Sequence, residues 1–223
     1  MPRDIDLRGL VGDTILDQGY RPTCVAVATS AAHEALIGTP AAPSEDLAPE
    51  ALWWHATRAG LTSAAGMLLR DVGPALNGPG QPELTKWPYN RALGAGTENP
   101  PDDLSDPPWH RARLDDLPLL HDGVEQPIED ALDTSYPVIL ILEVTDQFYN
   151  PDEDGIVALP GVRATAGGYH AVVCVGAATH PIHGRMLLVK NSWGPVWGLG
   201  GYGWLPLAYL VAFAVQAARV LET

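Results

Sequence analysis

Three short apolar runs crowd the second half of the chain and restrict its fold more than any other feature: Val138-Ile139-Leu140-Ile141-Leu142, Ala171-Val172-Val173-Cys174-Val175 and Met186-Leu187-Leu188-Val189. Their β-branched content and length read as strands. The first half has a different character. Pro22-Thr23-Cys24 leads into Val25–Leu36, a stretch rich in small and apolar residues and ending at Gly38-Thr39-Pro40, which predicts a buried helix with Cys24 in its first turn and Thr23 as a candidate N-cap. A second helix is expected to begin at Pro49 and run through Leu52, Trp53, His55 and Ala56 to Gly60, since Pro is favoured at the first helical position. Leu68–Leu76 also has helical character, and Pro74 is expected to kink or end it. Gly78–Asp122 is dense in Pro, Gly, Asn and Asp and predicts long surface loops where two lobes join; Glu125–Leu132 reads as a short helix. Helices first and strands afterwards predict an α+β architecture rather than a wound βαβ sheet.

Composition narrows the function classes. The formal charge of -14 gives a surface that repels nucleic-acid backbones and anionic lipid, so no nucleic-acid partner is expected. No apolar run is long enough to span a bilayer, and the N-terminus lacks the basic and apolar stretches of a secretory signal, so no membrane association is expected. Only Cys24 and Cys174 are present, which favours a reducing cytoplasm over a disulfide-stapled secreted setting, although a Cys24–Cys174 bridge is formally open.

The chemistry lies in two distant segments. Asp17-Gln18-Gly19-Tyr20-Arg21-Pro22-Thr23-Cys24 places a thiol at a helix start with a carboxamide six positions upstream. A helix N-terminus and a nearby imidazolium both favour thiolate, so a depressed Cys24 pKa is expected. The backbone amide at that start and the Gln18 side chain are two candidate donors for an oxyanion. Gly168-Tyr169-His170-Ala171-Val172 opens one strand, and Asn191-Ser192-Trp193-Gly194 follows the next. If those strands pair antiparallel across a connection at Ala177–Arg185, His170 and Asn191 fall side by side, and the Asn carboxamide selects the imidazole tautomer whose other nitrogen faces a thiol.

Taken together, these residues resemble the papain family, the C1 cysteine peptidases, in the order Gln, Cys, His, Asn; the likeness extends to Leu52-Trp53-Trp54-His55-Ala56, Trp87-Pro88-Tyr89, Trp197-Gly198 and Gly201-Tyr202-Gly203-Trp204. The pattern is nearest to bacterial members without a propeptide, because Ile5-Asp6-Leu7-Arg8 resembles the start of the mature domain. The resemblance implies a two-lobed papain-like fold in a single domain covering 1–223: a helical lobe over about 11–117, a barrel-like antiparallel β-rich lobe over about 118–223 with residues 1–10 packed on it, and the active site in the cleft between. It implies a cysteine endopeptidase that forms a thioester, with Cys24 as nucleophile, His170 as base, Asn191 orienting the base and Gln18 in the oxyanion hole. For substrate binding it implies Ala65, Gly66, Met67, Gly168, Tyr169, Ala171 and Trp193, with Leu68 beside Met67 in an apolar pocket and Trp193 covering the His170–Asn191 pair. No cofactor is expected. The partner is a peptide or protein substrate, with a regulatory protein as a further candidate because no propeptide is expected.

Two departures stand out. The family's Cys-Gly-Ser-Cys-Trp is here Arg21-Pro22-Thr23-Cys24-Val25, so the upstream disulfide partner and the aromatic after the nucleophile are both missing. The insertion-rich Gly94–Pro108 is a candidate to fold over the cleft. A transpeptidase, ligase or amidase acting on one peptide, and a silent peptide-binding module, are the rival readings. His180 and His183 read as solvated loop residues rather than metal ligands, His33, His55, His110 and His121 carry no motif, and Pro151-Asp152-Glu153-Asp154-Gly155 reads as a turn and not a calcium loop.

Overall fold

The helix beginning at Cys24 runs to Ile37 (α1), and every residue from Val25 to Glu34 is buried, as a segment without a polar face requires. The computed structural model describes residues 3–38, 45–120, 123–160 and 168–223. Thr39, Pro40, His121 and Gly167 therefore lie outside the described residues. Thr23 holds the N-cap position but does not cap α1. Its backbone (φ -105°, ψ 12°) is not the extended one that aims a side chain at the first free amides, and its hydroxyl pairs with that of Tyr89 instead.

In chain order the remaining elements are β1 (Ile5–Asp6), α2 (Pro49–Arg58), the hairpin of β2 (Thr62–Ser63) and β3 (Gly66–Met67), α3 (Gly73–Asn77), β4 (Arg113–Leu117), α4 (Gln126–Asp133), β5 (Val138–Glu143), α5 (Asp146–Tyr149), β6 (Tyr169–His180), β7 (Gly184–Lys190), β8 (Tyr202–Pro206), α6 (Leu207–Phe213) and β9 (Ala214–Leu221). Pro74 starts α3 after a 3-10 turn at Leu69–Val72, rather than ending a helix; in a first turn its missing N–H leaves no bond unmade.

One antiparallel sheet carries the second half in the order β4-β9-β5-β6-β7-β8, with β1 also paired to β6. Both faces of the sheet are covered. Ile139, Ile141, Ala171, Val173 and Val175 pack towards α1, while Val138, Leu140, Leu142, Val172 and Cys174 pack with Ile128 and Leu132 of α4 and Tyr209 and Leu210 of α6. Continuous apolar runs are what strands with two buried faces need. The α+β expectation therefore holds.

Two stretches expected as loops are strands. β4 lies inside Gly78–Asp122 and pairs with β9 about a hundred residues away, where Arg219 donates to Asp115 across 2.8 Å. β6 and β7 extend through most of Ala177–Arg185, leaving only Pro181, Ile182 and His183 between them. A bulge between Cys174 and Gly176 adjusts their register, and a Cβ at Gly176 would sit 2.6 Å from the Ile5 carbonyl, so glycine there admits β1. The Nδ1 atom of His180 accepts the backbone amides of Ile182 and His183. Among the described residues no three His, Cys, Asp or Glu side chains cluster as metal ligands. Asp152 caps its own turn by accepting from the amides of Asp154 and Ile156. Both cysteines are free, and no helix among the described residues is long and apolar enough to cross a membrane.

Candidate active site

His170 is the second residue of β6 and Asn191 directly follows β7, so the antiparallel pairing of those strands sets the two side by side. The imidazole Nε2 donates to Asn191 Oδ1 across 2.7 Å. That same oxygen accepts the Ser192 backbone amide at 2.8 Å, an N–H that only an acceptor can face. The carboxamide therefore has one orientation, the proton sits on His170 Nε2, and Nδ1 of the neutral ring is left as an acceptor. Asn191 Nδ2 has no partner among the described residues.

Trp193 lies over the imidazole at 4.6 Å between centroids and 30° between planes, and Tyr149 stacks on the indole at 5.0 Å and 8°. Phe148 meets both rings edge-on. His170 is 5% exposed, and burial drives its pKa down to about 4 against the opposing pull of the Asn191 bond.

Cys24 is half-buried as the first residue of α1. The expected depression of its pKa is not what this geometry produces: burial raises the thiol, opposed by the backbone amides of Ala171, Val25 and Cys24 itself. With His170 neutral there is no positive charge beside the sulfur, and helix-terminal N–H groups alone do not offset desolvation. Cys174 is buried much more deeply, its thiol pushed up to about 12 by burial.

Gln18 is buried between the two segments. Its backbone amide donates to the Ser192 carbonyl at 2.8 Å, its Oε1 accepts from the Ser192 hydroxyl, and Nε2 donates to the Arg21 carbonyl at 2.7 Å. A primary amide carries two N–H groups, so one remains to donate elsewhere.

Cys24 and His170 line one groove of about 900 Å³, together with Ala65, Gly66, Met67, Leu68, Tyr169 and Ala171. Gly66 adopts φ +114°, and a Cβ there would approach the Pro22 carbonyl to 3.2 Å, so glycine lets the β2–β3 hairpin close on the turn before Cys24. Gly168 and Trp193 are not among the lining residues. Gly168 uses φ +88° at the entrance to β6 and its carbonyl accepts the Val144 amide, whereas Trp193 sits behind the imidazole. The groove also contains Leu61, Leu69, Arg70 and Asp71, with Ile141 of β5 and Val215 and Gln216 of β9. Nothing in their local sequence marks the last three, which arrive through strand pairing; Val25 and Leu69 adjoin residues already singled out. Gly94–Pro108 contributes no lining residue; the carbonyls of Gly94 and Gly96 turn instead to the Arg21 guanidinium.

The sequence model described as papain family cysteine protease matches residues 84–209, more than half of the chain. An uncharacterized peptidase C1-like protein of Acanthamoeba polyphaga mimivirus is 34% identical over 93 residues, 41% of this chain and 29% of that protein. Silicatein of Petrosia ficiformis is 31% identical over 80 residues, 36% of this chain. The matched region thus spans under a third of either curated relative, 29% and 23%. Among solved structures, the cysteine protease xylellain from Xylella fastidiosa superposes with a TM-score of 0.81 at 20% identity, covering 100% of this chain and 87% of that one. The Carica candamarcensis cysteine protease CMS1MS2, solved in complex with E-64, superposes with a TM-score of 0.74 at 21% identity, covering all of both chains. The fold is that of these proteins.

Proposed function

The chain belongs to the papain family of cysteine proteases, and on that premise we propose that it cleaves peptide bonds through a thioester on Cys24, with His170 as general base and acid. The observation that carries this reading is the doubly fixed Asn191 Oδ1, held by the Ser192 amide and by His170 Nε2, because it leaves Nδ1 unprotonated in a groove shared with the Cys24 thiol.

The step begins as Nδ1 takes the thiol proton. Burial opposes each charge alone, so thiolate and imidazolium form as a pair whose mutual attraction is strong where Trp193 and Tyr149 exclude water. The thiolate attacks the substrate carbonyl carbon. The resulting oxyanion accepts from the Cys24 backbone amide and from the free N–H of Gln18. Imidazolium then gives its proton to the departing amine, the C–N bond breaks, and a thioester remains; His170 next takes a proton from water, whose oxygen displaces the sulfur and releases the acid. The extended substrate lies along Ala65, Gly66 and Met67, with an apolar side chain in the groove formed by Met67, Leu68, Ala171, Ile141 and Val215.

Iodoacetamide or E-64 treatment followed by mass spectrometry tests the assignment. Modification confined to Cys24, abolished by His170→Ala, is expected; labelling that passes over Cys24 and reaches Cys174 overturns it.

A further inference from the structure

Arg21 is fully buried and directly involved in neither the His170–Asn191 pair nor the groove, yet all five of its N–H donors are engaged. Its two terminal nitrogens donate to both carboxylate oxygens of Glu50, and also to the carbonyls of Asn90 at 3.0 Å and Gly96 at 2.9 Å; Nε donates to the Gly94 carbonyl at 3.2 Å. The Tyr89 ring lies 4.7 Å from the guanidinium carbon. Neither Arg21 nor Glu50 exposes any side-chain surface. Glu50 is completed by the Thr97 hydroxyl at 3.0 Å.

A buried ion pair contributes little net stability, because desolvation of both charges offsets their attraction; what it fixes well is geometry. Here the fixed object is the turn before the nucleophile. The Arg21 carbonyl accepts Gln18 Nε2, and the Arg21 amide donates to the Gln18 carbonyl at 3.3 Å. Tyr89 donates to that same Gln18 carbonyl at 3.3 Å and pairs with the hydroxyl of Thr23, the residue before Cys24. One end of Arg21 is thus locked to α2 and to residues 90–96, while its backbone holds the Gln18 carboxamide.

We propose that Arg21, clamped by Glu50 and Tyr89, is a positioning residue that sets the Gln18 carboxamide for oxyanion binding through its own backbone carbonyl. The inference rests on the functional reading above, since it gives Gln18 a transition state to stabilise. It predicts an effect on acyl transfer and none on the reactivity of the thiol itself.

The test compares two reactions of one protein. Hydrolysis of a fluorogenic peptide amide develops an oxyanion, whereas iodoacetamide alkylation of Cys24 displaces iodide at a saturated carbon and develops none. In the Arg21→Met/Glu50→Leu variant, which leaves no unpaired charge, kcat is expected to fall about 10- to 100-fold with KM nearly unchanged, while the alkylation rate stays within about threefold of wild type. Adding Gln18→Ala to that variant is expected to cost much less than it does in wild type, since the two changes remove the same interaction. If the double variant does not fold, Arg21→Lys and Tyr89→Phe carry the same comparison, because each removes part of the clamp without stranding a charge. Additive losses with Gln18→Ala, an unchanged kcat, or alkylation falling in parallel with kcat would overturn the inference. A wild-type protein inert towards both peptide and iodoacetamide would instead overturn the functional reading, and this inference with it.

Discussion

Ser192 and Gln18 join the two walls of the site: the Ser192 hydroxyl donates to Gln18 Oε1, and the Gln18 amide donates back to the Ser192 carbonyl at 2.8 Å. One residue adjoins Asn191 and the other lies six positions before Cys24, so this reciprocal pair couples the end of β7, beside His170, to the segment that carries the proposed nucleophile. Because Oε1 is committed to Ser192, the Gln18 N–H groups point the other way. Ser192→Ala frees the carboxamide to rotate, and a fall in kcat of roughly tenfold with little change in KM is expected from steady-state kinetics. Unchanged kcat would mean that Arg21 alone is enough to orient Gln18.

On the proposed mechanism, burial of His170 sets the acid limit of activity. Its pKa of about 4 lies below the ordinary 6.5, so the ring stays neutral, and able to take the thiol proton, until the pH falls through about 4. The pH profile of kcat/KM is therefore expected to keep its acid limb well below 6.5. Trp193→Ala admits water to the ring and moves that limb upward; a wild-type limb at 6.5 or above would contradict the burial argument.

Glu34 gives the folded protein a pH signature of opposite sign. Burial raises its carboxyl to about 7, against Lys190 and the amides of Leu47 and Gly12, from an ordinary value of 4.5. The folded chain holds this proton where the unfolded chain has lost it, so the contribution is full below pH 4.5 and disappears as pH rises through 7, about 3 kcal/mol in all. Relative to Glu34→Gln, wild type is expected to lose unfolding free energy across that window in denaturant titrations. A difference independent of pH would mean that Glu34 is ionised throughout.

Val215 lines the groove on β9 and is 46% exposed, so its substitution should be felt by substrate and not by the fold. Val215→Asp is expected to raise KM about tenfold for peptides with an apolar side chain in that pocket, through desolvation of the new carboxylate, with the melting temperature shifted by only a few degrees. Equal KM values would place the substrate outside this part of the groove.

Uniform burial makes several elements legible in the chain, whereas α2 is legible from the Pro at its first position. β5 and the body of β6 and β7 have neighbours on both faces, so their residues are apolar, and α1 is rich in small and apolar residues although it also buries Thr29, Ser30, His33 and Glu34; no partner need be known to identify them. β4, with the sequence Arg-Leu-Asp-Asp-Leu, carries no strand signal of its own because it is a half-exposed strand at one end of the sheet order, and its identity as a strand depends on β9. The same reason hid Val215 and Gln216 from the groove. Arg21 reads in the sequence as a departure from a familiar motif, and nothing in the sequence around it points to Glu50; only their meeting 29 positions apart makes them one object.

The order and spacing of Gln18, Cys24, His170 and Asn191 are local facts, and with the apolar runs around them they determined the fold class and the residues that gather at the site. Tertiary structure decided the charge states. Whether a thiol is raised or lowered, and how far an imidazole falls, depends on how much water the surrounding rings and strands exclude; desolvation is set by everything within reach of a group in space, whereas a sequence specifies only its neighbours along the chain.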